Sequence, residues 1–105
     1  MTDLTPALLC AAHLLGYTGP LPEVMWWKDE PIPELCAAAN APGCLAITTR
    51  RLDTGGLMVV MPADAPFSWA VHEATHVLQL HLGLPYPNEE QAYELMARAG
   101  ECEEL

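Results

Sequence analysis

The feature that most constrains the fold is the segment between Pro66 and Gly83, which contains neither proline nor glycine. Four of its larger apolar residues recur at spacings of 4, 7 and 4, the pattern of one buried helix face: Phe67, Val71, Leu78 and Leu82. This pattern predicts a long helix from about Ala65 to Leu82. Asp64 is its predicted cap, Pro66 lies in its first turn, and Gly83 ends it.

Two short apolar segments before this helix are typical of β-strands. They cover Leu45–Arg51 and Leu57–Met61, and the residues Asp53-Thr54-Gly55-Gly56 separate them. A Gly-Gly pair supplies the positive φ angles that tight hairpin turns require. The sequence therefore predicts a β-hairpin, with Pro62 ending its second strand.

The first 40 residues contain two further helix signals. Thr5 as a cap, with Pro6 after it, predicts a first helix that ends at Gly16, and Pro33–Asn40 is compatible with a short helix. The proline-rich residues 17–33 are predicted to be irregular or extended.

A last helix is predicted after Pro87. Asn88 is its cap, Gln91 is the capping-box partner three residues later, and the helix reaches about Ala99. The acidic tail Glu101–Leu105 is expected to be frayed or solvated. The elements together predict one small α+β domain over residues 1–105, in which a β-hairpin or small sheet packs on the long helix and a second helix follows it.

Charge excludes several classes of partner. Four Lys and Arg against fourteen Asp and Glu give a net charge of −10, and 51% of the residues are hydrophobic. A protein that binds nucleic acid or an anionic membrane surface needs a basic face, so neither partner is expected. No apolar run approaches the roughly 20 residues of a membrane-spanning helix. Asp3 is near the N-terminus and no Lys or Arg precedes Lys28, so we also expect no signal peptide.

The four cysteines form neither a CxxC motif nor a zinc-finger spacing: Cys10, Cys36, Cys44 and Cys102. Three of them lie in apolar segments, where a free cysteine behaves as a small core residue. We therefore expect reduced, structural thiols and a cytoplasmic protein, in a bacterium or a phage-infected host.

The long helix carries the sequence His72-Glu73-Ala74-Thr75-His76, an HExxH motif. Two histidines four residues apart share one helical face, so both imidazoles can reach one metal ion. Glu73 is then placed beside the metal, where it can accept a proton from water. Apolar residues surround the motif, and a buried imidazole pair requires polar partners.

The chain here resembles the zincin-like metallopeptidases of the gluzincin type. More specifically, it is similar to small phage and bacterial proteins in which an HEAxHVxQ helix precedes an ExEAY segment. The matching residues are His72–Gln79 and Glu89–Tyr93, and the resemblance covers roughly residues 57–98. It implies a Zn²⁺ ion held by His72, His76 and a glutamate, with water in the fourth position and Glu73 as the general base.

We expect the third protein ligand to be a glutamate rather than His81 or His13. The metzincin pattern requires a histidine six residues after His76, and that residue is Leu82. His81 lies about 140° around the helix from His76 and points away from the site. His13, in the first helix, is expected to be a packing residue.

Three glutamates remain as third-ligand candidates. The resemblance favours Glu89, which opens the segment that matches ExxAx. An ExxxD-like spacing instead makes Glu90 the ligand and Glu94 the carboxylate that orients a histidine. Simple hairpin geometry around Pro85 brings Glu94 to the height of His76, although Glu94 also has the i,i+4 spacing of an ion pair with Arg98.

The resemblance implies hydrolysis of a peptide bond in a peptide or protein substrate, with the metal polarising the carbonyl. An extended substrate is expected to add to one of the two predicted strands. The alternatives are a metal-binding interaction protein without catalytic activity, such as a phage accessory protein, and an interaction module whose HExxH is fortuitous.

Overall fold

A computed structural model describes residues 4–38, 44–50 and 53–104 of the chain. The described elements confirm the α+β class. In chain order they are α1 (Thr5–Leu15), β1 (Val24–Lys28), α2 (Pro33–Ala38), β2 (Ile47–Arg50), β3 (Leu57–Met61), α3 (Phe67–Leu82), α4 (Glu89–Ala97) and a C-terminal 3₁₀ helix (Ala99–Glu104). Across these ranges, none of the helices combines the length and apolar composition needed to cross a membrane.

The three described strands form one mixed sheet in the order β1-β3-β2. β2 and β3 are antiparallel, with Ile47 opposite Val60, which confirms the predicted hairpin. β1 pairs in parallel with β3, with Val24 opposite Leu57. β1 lies in the segment 17–33, which was predicted to be irregular or extended. The sequence did not identify it as a strand of the sheet, because this strand is stabilised by pairing with a partner far along the chain.

The core lies between the sheet and the two longest helices. Val59 and Met61 of β3 are fully buried against α1 and α3. Val71 and Leu78 are also fully buried, but Phe67 and Leu82 are 40% and 37% exposed, so the predicted apolar stripe is wrong at both ends. A 16-residue helix is about 24 Å long. The helix is therefore longer than the strands of four or five residues, which span about 17 Å at most, and its ends extend past the sheet.

The starts of the helices differ in part from the prediction. Thr5 is the first residue of α1 rather than its cap, and Leu4 takes the cap position. At α3, Pro66 rather than Asp64 takes that position. Asn88 caps α4 as predicted, because its side chain accepts a hydrogen bond from the Gln91 backbone N–H at 3.2 Å.

The ends of the helices follow the glycine signals more closely. Gly16 and Gly83 have left-handed φ angles of 73° and 70° and end α1 and α3 as predicted. α4 ends at Ala97, and the tail continues as a 3₁₀ helix through Glu104 instead of being frayed. The predicted helix end at Asn40 and strand end at Arg51 lie outside the described residues.

All four cysteines form disulfides, so the expectation of free thiols is wrong. Cys10 of α1 pairs with Cys102, across a sequence separation of 92, and Cys36 of α2 pairs with Cys44. The apolar neighbours of Cys10 bring it into the core, where the tail meets it. Disulfides are typical of oxidising compartments. The cytoplasmic location therefore stays a prediction that the cysteines do not support.

Candidate metal centre

The HExxH residues meet on the buried face of α3. His72, Glu73 and His76 are 8%, 4% and 5% exposed, and the two imidazole ring centres are 5.0 Å apart. One potential ligand atom from each of the three residues lies within 4.8 Å of the others. This group can hold a metal ion, as the motif predicted.

Glu89 adds a carboxylate from α4 to this group. Its Oε2 lies 3.6 Å from His72 Nε2, and its Oε1 contacts His76 Nε2. Glu89 is the first residue of α4, immediately after the cap Asn88. Glu90 and Glu94, the other candidates from the sequence, are both exposed on α4, at 100° and about 140° around the helix from Glu89.

The environment of Glu73 favours a protonated carboxyl group. Burial raises its pKa from the ordinary 4.5 to about 7, against the opposing effects of His76 and of a hydrogen bond from Thr48. The Thr48 hydroxyl lies 3.1 Å from Glu73 Oε1 and 3.1 Å from the Glu73 carbonyl oxygen. A pKa near 7 is suited to a group that exchanges protons at neutral pH.

The two histidines have different partners. His76 Nδ1 is 2.8 Å from Oε1 of the buried Gln79. Among the described residues, His72 Nδ1 is buried without a hydrogen-bond partner, and the His72 ring packs at 74° against Tyr93 with ring centres 4.7 Å apart. Burial lowers the pKa of His72, and the charge of His76 lowers it further.

A cleft of about 460 Å³ opens onto these residues. Its walls include the stretch from Leu45 to Thr48, Trp69 of α3 and two tyrosines, Tyr86 and Tyr93. The Tyr86 hydroxyl donates a hydrogen bond to the Thr48 carbonyl oxygen at 2.6 Å. Burial raises the pKa of Tyr86, and the carboxylates of Glu73 and Glu89 raise it further.

Sequence reasoning missed two residues of this site. Thr48 lies in a short strand whose sequence indicates no functional role, and only the approach of β2 to α3 brings its hydroxyl to Glu73. Gln79 follows the motif by three residues, the helical spacing that could have indicated contact with His76. The structure leaves His81 beside Tyr17, with ring centres 6.3 Å apart, and His13 exposed on α1.

The chemistry of the donor set fits a divalent cation. Two imidazole nitrogens and a carboxylate converge on one point, and both histidines are largely buried. A carboxylate facing nitrogen lone pairs is stabilised by a positive charge between them, whether a proton or a metal ion. Imidazole and carboxylate together are ligands that Zn²⁺ accepts.

Comparisons of the chain with models of protein families, with curated proteins and with solved structures found no match. The resemblance to zincin-like metallopeptidases therefore rests on the two sequence segments alone.

Proposed function

We propose that this protein is a zinc-dependent metallopeptidase, with His72, His76 and Glu89 as its metal ligands. The observation that carries the proposal is the approach of the Glu89 carboxylate to both Nε2 atoms of the HExxH histidines. Three protein ligands that leave a position open are typical of catalytic zinc sites, whereas structural sites have four. The cleft beside these residues provides access for a substrate.

Two glutamates compete for the role of third ligand, and their surroundings favour different roles. Glu73 is buried, is hydrogen-bonded by Thr48, and keeps its Oε2 3.8 Å from His72 Nε2. The Glu89 side chain is half exposed, and its two oxygens reach both imidazoles. We therefore assign Glu89 to the metal and Glu73 to proton transfer.

A bound zinc ion supplies an electrophile that polarises a carbonyl and lowers the pKa of water. The chain itself supplies the proton transfers. The Glu73 carboxylate accepts a proton from a water molecule as the water oxygen bonds to the peptide carbon. It returns the proton to the amide nitrogen as the C–N bond breaks, so that one water is consumed for each bond cleaved. The Thr48 hydroxyl holds Glu73 Oε1 in place.

The substrate we propose is an extended segment of a peptide or protein. β2 borders the cleft, and among the described strands it is paired only on its β3 side. β3 is paired on both sides, which removes Leu57–Met61 as a docking strand and leaves Leu45–Thr49. An open strand edge can bind an extended chain through its backbone groups.

One contact favours the alternative, a metal-binding protein without catalytic activity. The Tyr86 hydroxyl already occupies the Thr48 carbonyl oxygen, a backbone group of the strand that borders the cleft. A carbonyl oxygen has two lone pairs, so a substrate that uses this oxygen must either share it with the Tyr86 hydroxyl or displace that hydroxyl. A protein that only holds a metal ion has no such requirement.

Two measurements on the purified protein test the proposal. Plasma emission spectroscopy should find about one equivalent of zinc, because the site has one set of ligands. A mixed peptide library, analysed by mass spectrometry, should be cleaved by the wild type and at least 10²-fold more slowly by Glu73→Gln at equal zinc occupancy, the usual value of a positioned proton-transfer group. Equal cleavage by both proteins would indicate a contaminant. Bound zinc without cleavage in either would support the non-catalytic alternative, and a lack of metal would overturn both.

A further inference from the structure

We infer, on the basis of the proposed metal site, that Gln79 is a positioning residue. It fixes the orientation of the His76 imidazole and the position of the first turn of α4. Gln79 is fully buried, yet its amide has four polar contacts. Its Oε1 lies 2.8 Å from His76 Nδ1 and accepts from the Asn88 N–H at 3.3 Å. Its Nε2 donates to the Asn88 carbonyl at 3.0 Å and to Gln91 Oε1 at 2.9 Å.

The backbone of Asn88 determines which way the Gln79 amide points. The Asn88 N–H can only donate, so the amide atom facing it is the oxygen. The Asn88 carbonyl can only accept, so the amide atom facing it is the nitrogen. A flipped amide would place donor against donor and acceptor against acceptor.

The tautomer of His76 follows from this orientation. Gln79 Oε1 can only accept, so the hydrogen of the neutral imidazole must lie on Nδ1. The lone pair is then on Nε2, the atom that contacts Glu89. A hydrogen bond to the nitrogen that does not bind metal sets the tautomer and the ring orientation of a histidine ligand.

The same amide also holds the first turn of α4. Asn88 precedes Glu89 and Gln91 follows it by two residues, and both hydrogen-bond to Gln79. Two of the three proposed ligands, His76 and Glu89, are thus positioned relative to a single side chain. The third, His72, has no such link among the described contacts.

Three variants separate the contact of Gln79 with His76 from its contacts with the first turn of α4. Gln79→Met removes every hydrogen bond of the amide. Gln79→Glu keeps an acceptor for His76 Nδ1 but replaces the donor to Asn88 and Gln91. Gln91→Met is the matched control, because it removes a contact of α4 and leaves the bond to His76 intact.

Zinc affinity, measured by competition with a chromogenic chelator, should rank these variants. Gln79→Met should bind zinc about 10–100-fold more weakly than the wild type. Gln79→Glu should bind zinc more tightly than Gln79→Met, because it keeps an acceptor for His76 Nδ1, and Gln91→Met should remain nearest to the wild type, because it leaves the bond to His76 intact. The melting temperatures of the metal-free proteins should fall in all three variants. A purely structural role for Gln79 predicts zinc affinities that simply follow these melting temperatures, and not this ranking.

The His76 tautomer is observable without metal. Long-range ¹⁵N–¹H spectra of the metal-free wild type at alkaline pH, where imidazoles are neutral, should show the hydrogen on Nδ1. In Gln79→Met the hydrogen should move to Nε2, where Glu89 accepts it.

The inference is overturned if Gln79→Met binds zinc as tightly as the wild type, if Gln79→Glu binds no more tightly than Gln79→Met, or if wild-type His76 carries its hydrogen on Nε2. If Gln79→Met does not fold, the tautomer of His76 in the wild type decides. A wild type that binds no zinc refutes the proposed function, and the tautomer measurement still decides the role of Gln79.

Discussion

The surroundings of His72 and of His76 differ although both histidines lie on the same face of one helix. The Nδ1 atom of His76 has a hydrogen-bond partner in Gln79, whereas the matching atom of His72 is buried without one among the described residues. His72 is held instead by the ring of Tyr93. A hydrogen bond fixes both the direction and the tautomer of an imidazole, but packing restricts only its position.

The residue that packs on His72 lies one helical turn after Glu89. Tyr93 is four residues further along α4, so the side chains of Glu89 and Tyr93 both reach the His72 imidazole. Among the described residues, Tyr93 gives His72 a packing contact, and His72 Nδ1 has no hydrogen-bond acceptor.

The largest expected effect is the loss of zinc, and it is the same for His72 and for His76. His72→Ala and His76→Ala should each abolish stoichiometric zinc binding, because two protein ligands rarely retain the ion when a third is lost. Plasma emission analysis after dialysis gives the metal content. A full equivalent of zinc in either variant would show that the residue is not a ligand.

A nearly equal loss is expected for Glu89→Ala, since its carboxylate approaches both imidazoles. Glu90→Ala and Glu94→Ala are the matched controls on the same helix. The predicted ion pair of Glu94 with Arg98 is replaced by one between Arg98 and Glu101 at 2.8 Å, so removing the Glu94 carboxylate should have little effect on stability. Chelator competition would rank the three, and loss of zinc in a control rather than in Glu89→Ala would refute the assignment of Glu89.

A smaller loss of zinc affinity is expected when the packing of Tyr93 on His72 is removed. Tyr93→Ala removes the ring that packs on His72 and frees the imidazole to rotate, so zinc affinity should fall, but by less than in Gln79→Met. Tyr93→Phe keeps the ring and should bind zinc as the wild type does. A fall in Tyr93→Phe equal to that in Tyr93→Ala would show that the hydroxyl, rather than packing, is what matters.

The smallest effect concerns the pH dependence of the metal-free protein. The pKa of Glu73 rises from 4.5 to about 7 on folding, so the folded state holds more protons than the unfolded state between these pH values. The contribution of Glu73 to wild-type stability therefore decreases as pH rises through this window, and Glu73→Gln lacks this contribution. The melting temperature of Glu73→Gln relative to the wild type should increase from pH 4.5 to 7 and then level off. A difference that stays constant over this range would contradict the raised pKa.

Local signals predicted the parts of the fold that local interactions determine. The spacing of apolar residues and Gly83 predicted α3, the Gly-Gly turn predicted the hairpin, and Asn88 predicted the start of α4. These features depend on residues within a few positions of one another. The HExxH motif belongs to the same class, because one helical turn brings its histidines together.

The remaining features depend on contacts between distant parts of the chain. β1 needs β3 beside it, and Cys10 needs Cys102, which is 92 residues away. Gln79 shows most clearly which contacts the sequence does not predict. Its spacing from His76 is visible in the sequence, but its bonds to Asn88 and Gln91 require knowledge of how α4 approaches α3.

The Cys10–Cys102 disulfide closes nearly the whole chain into a covalent ring. A single cut of the backbone inside the ring therefore gives two fragments that stay joined, and α3 and α4 both lie between the two cysteines. Such a nicked molecule would keep its full mass on a non-reducing gel and separate only after reduction. A protein built in this way tolerates one proteolytic cut without losing any of its parts.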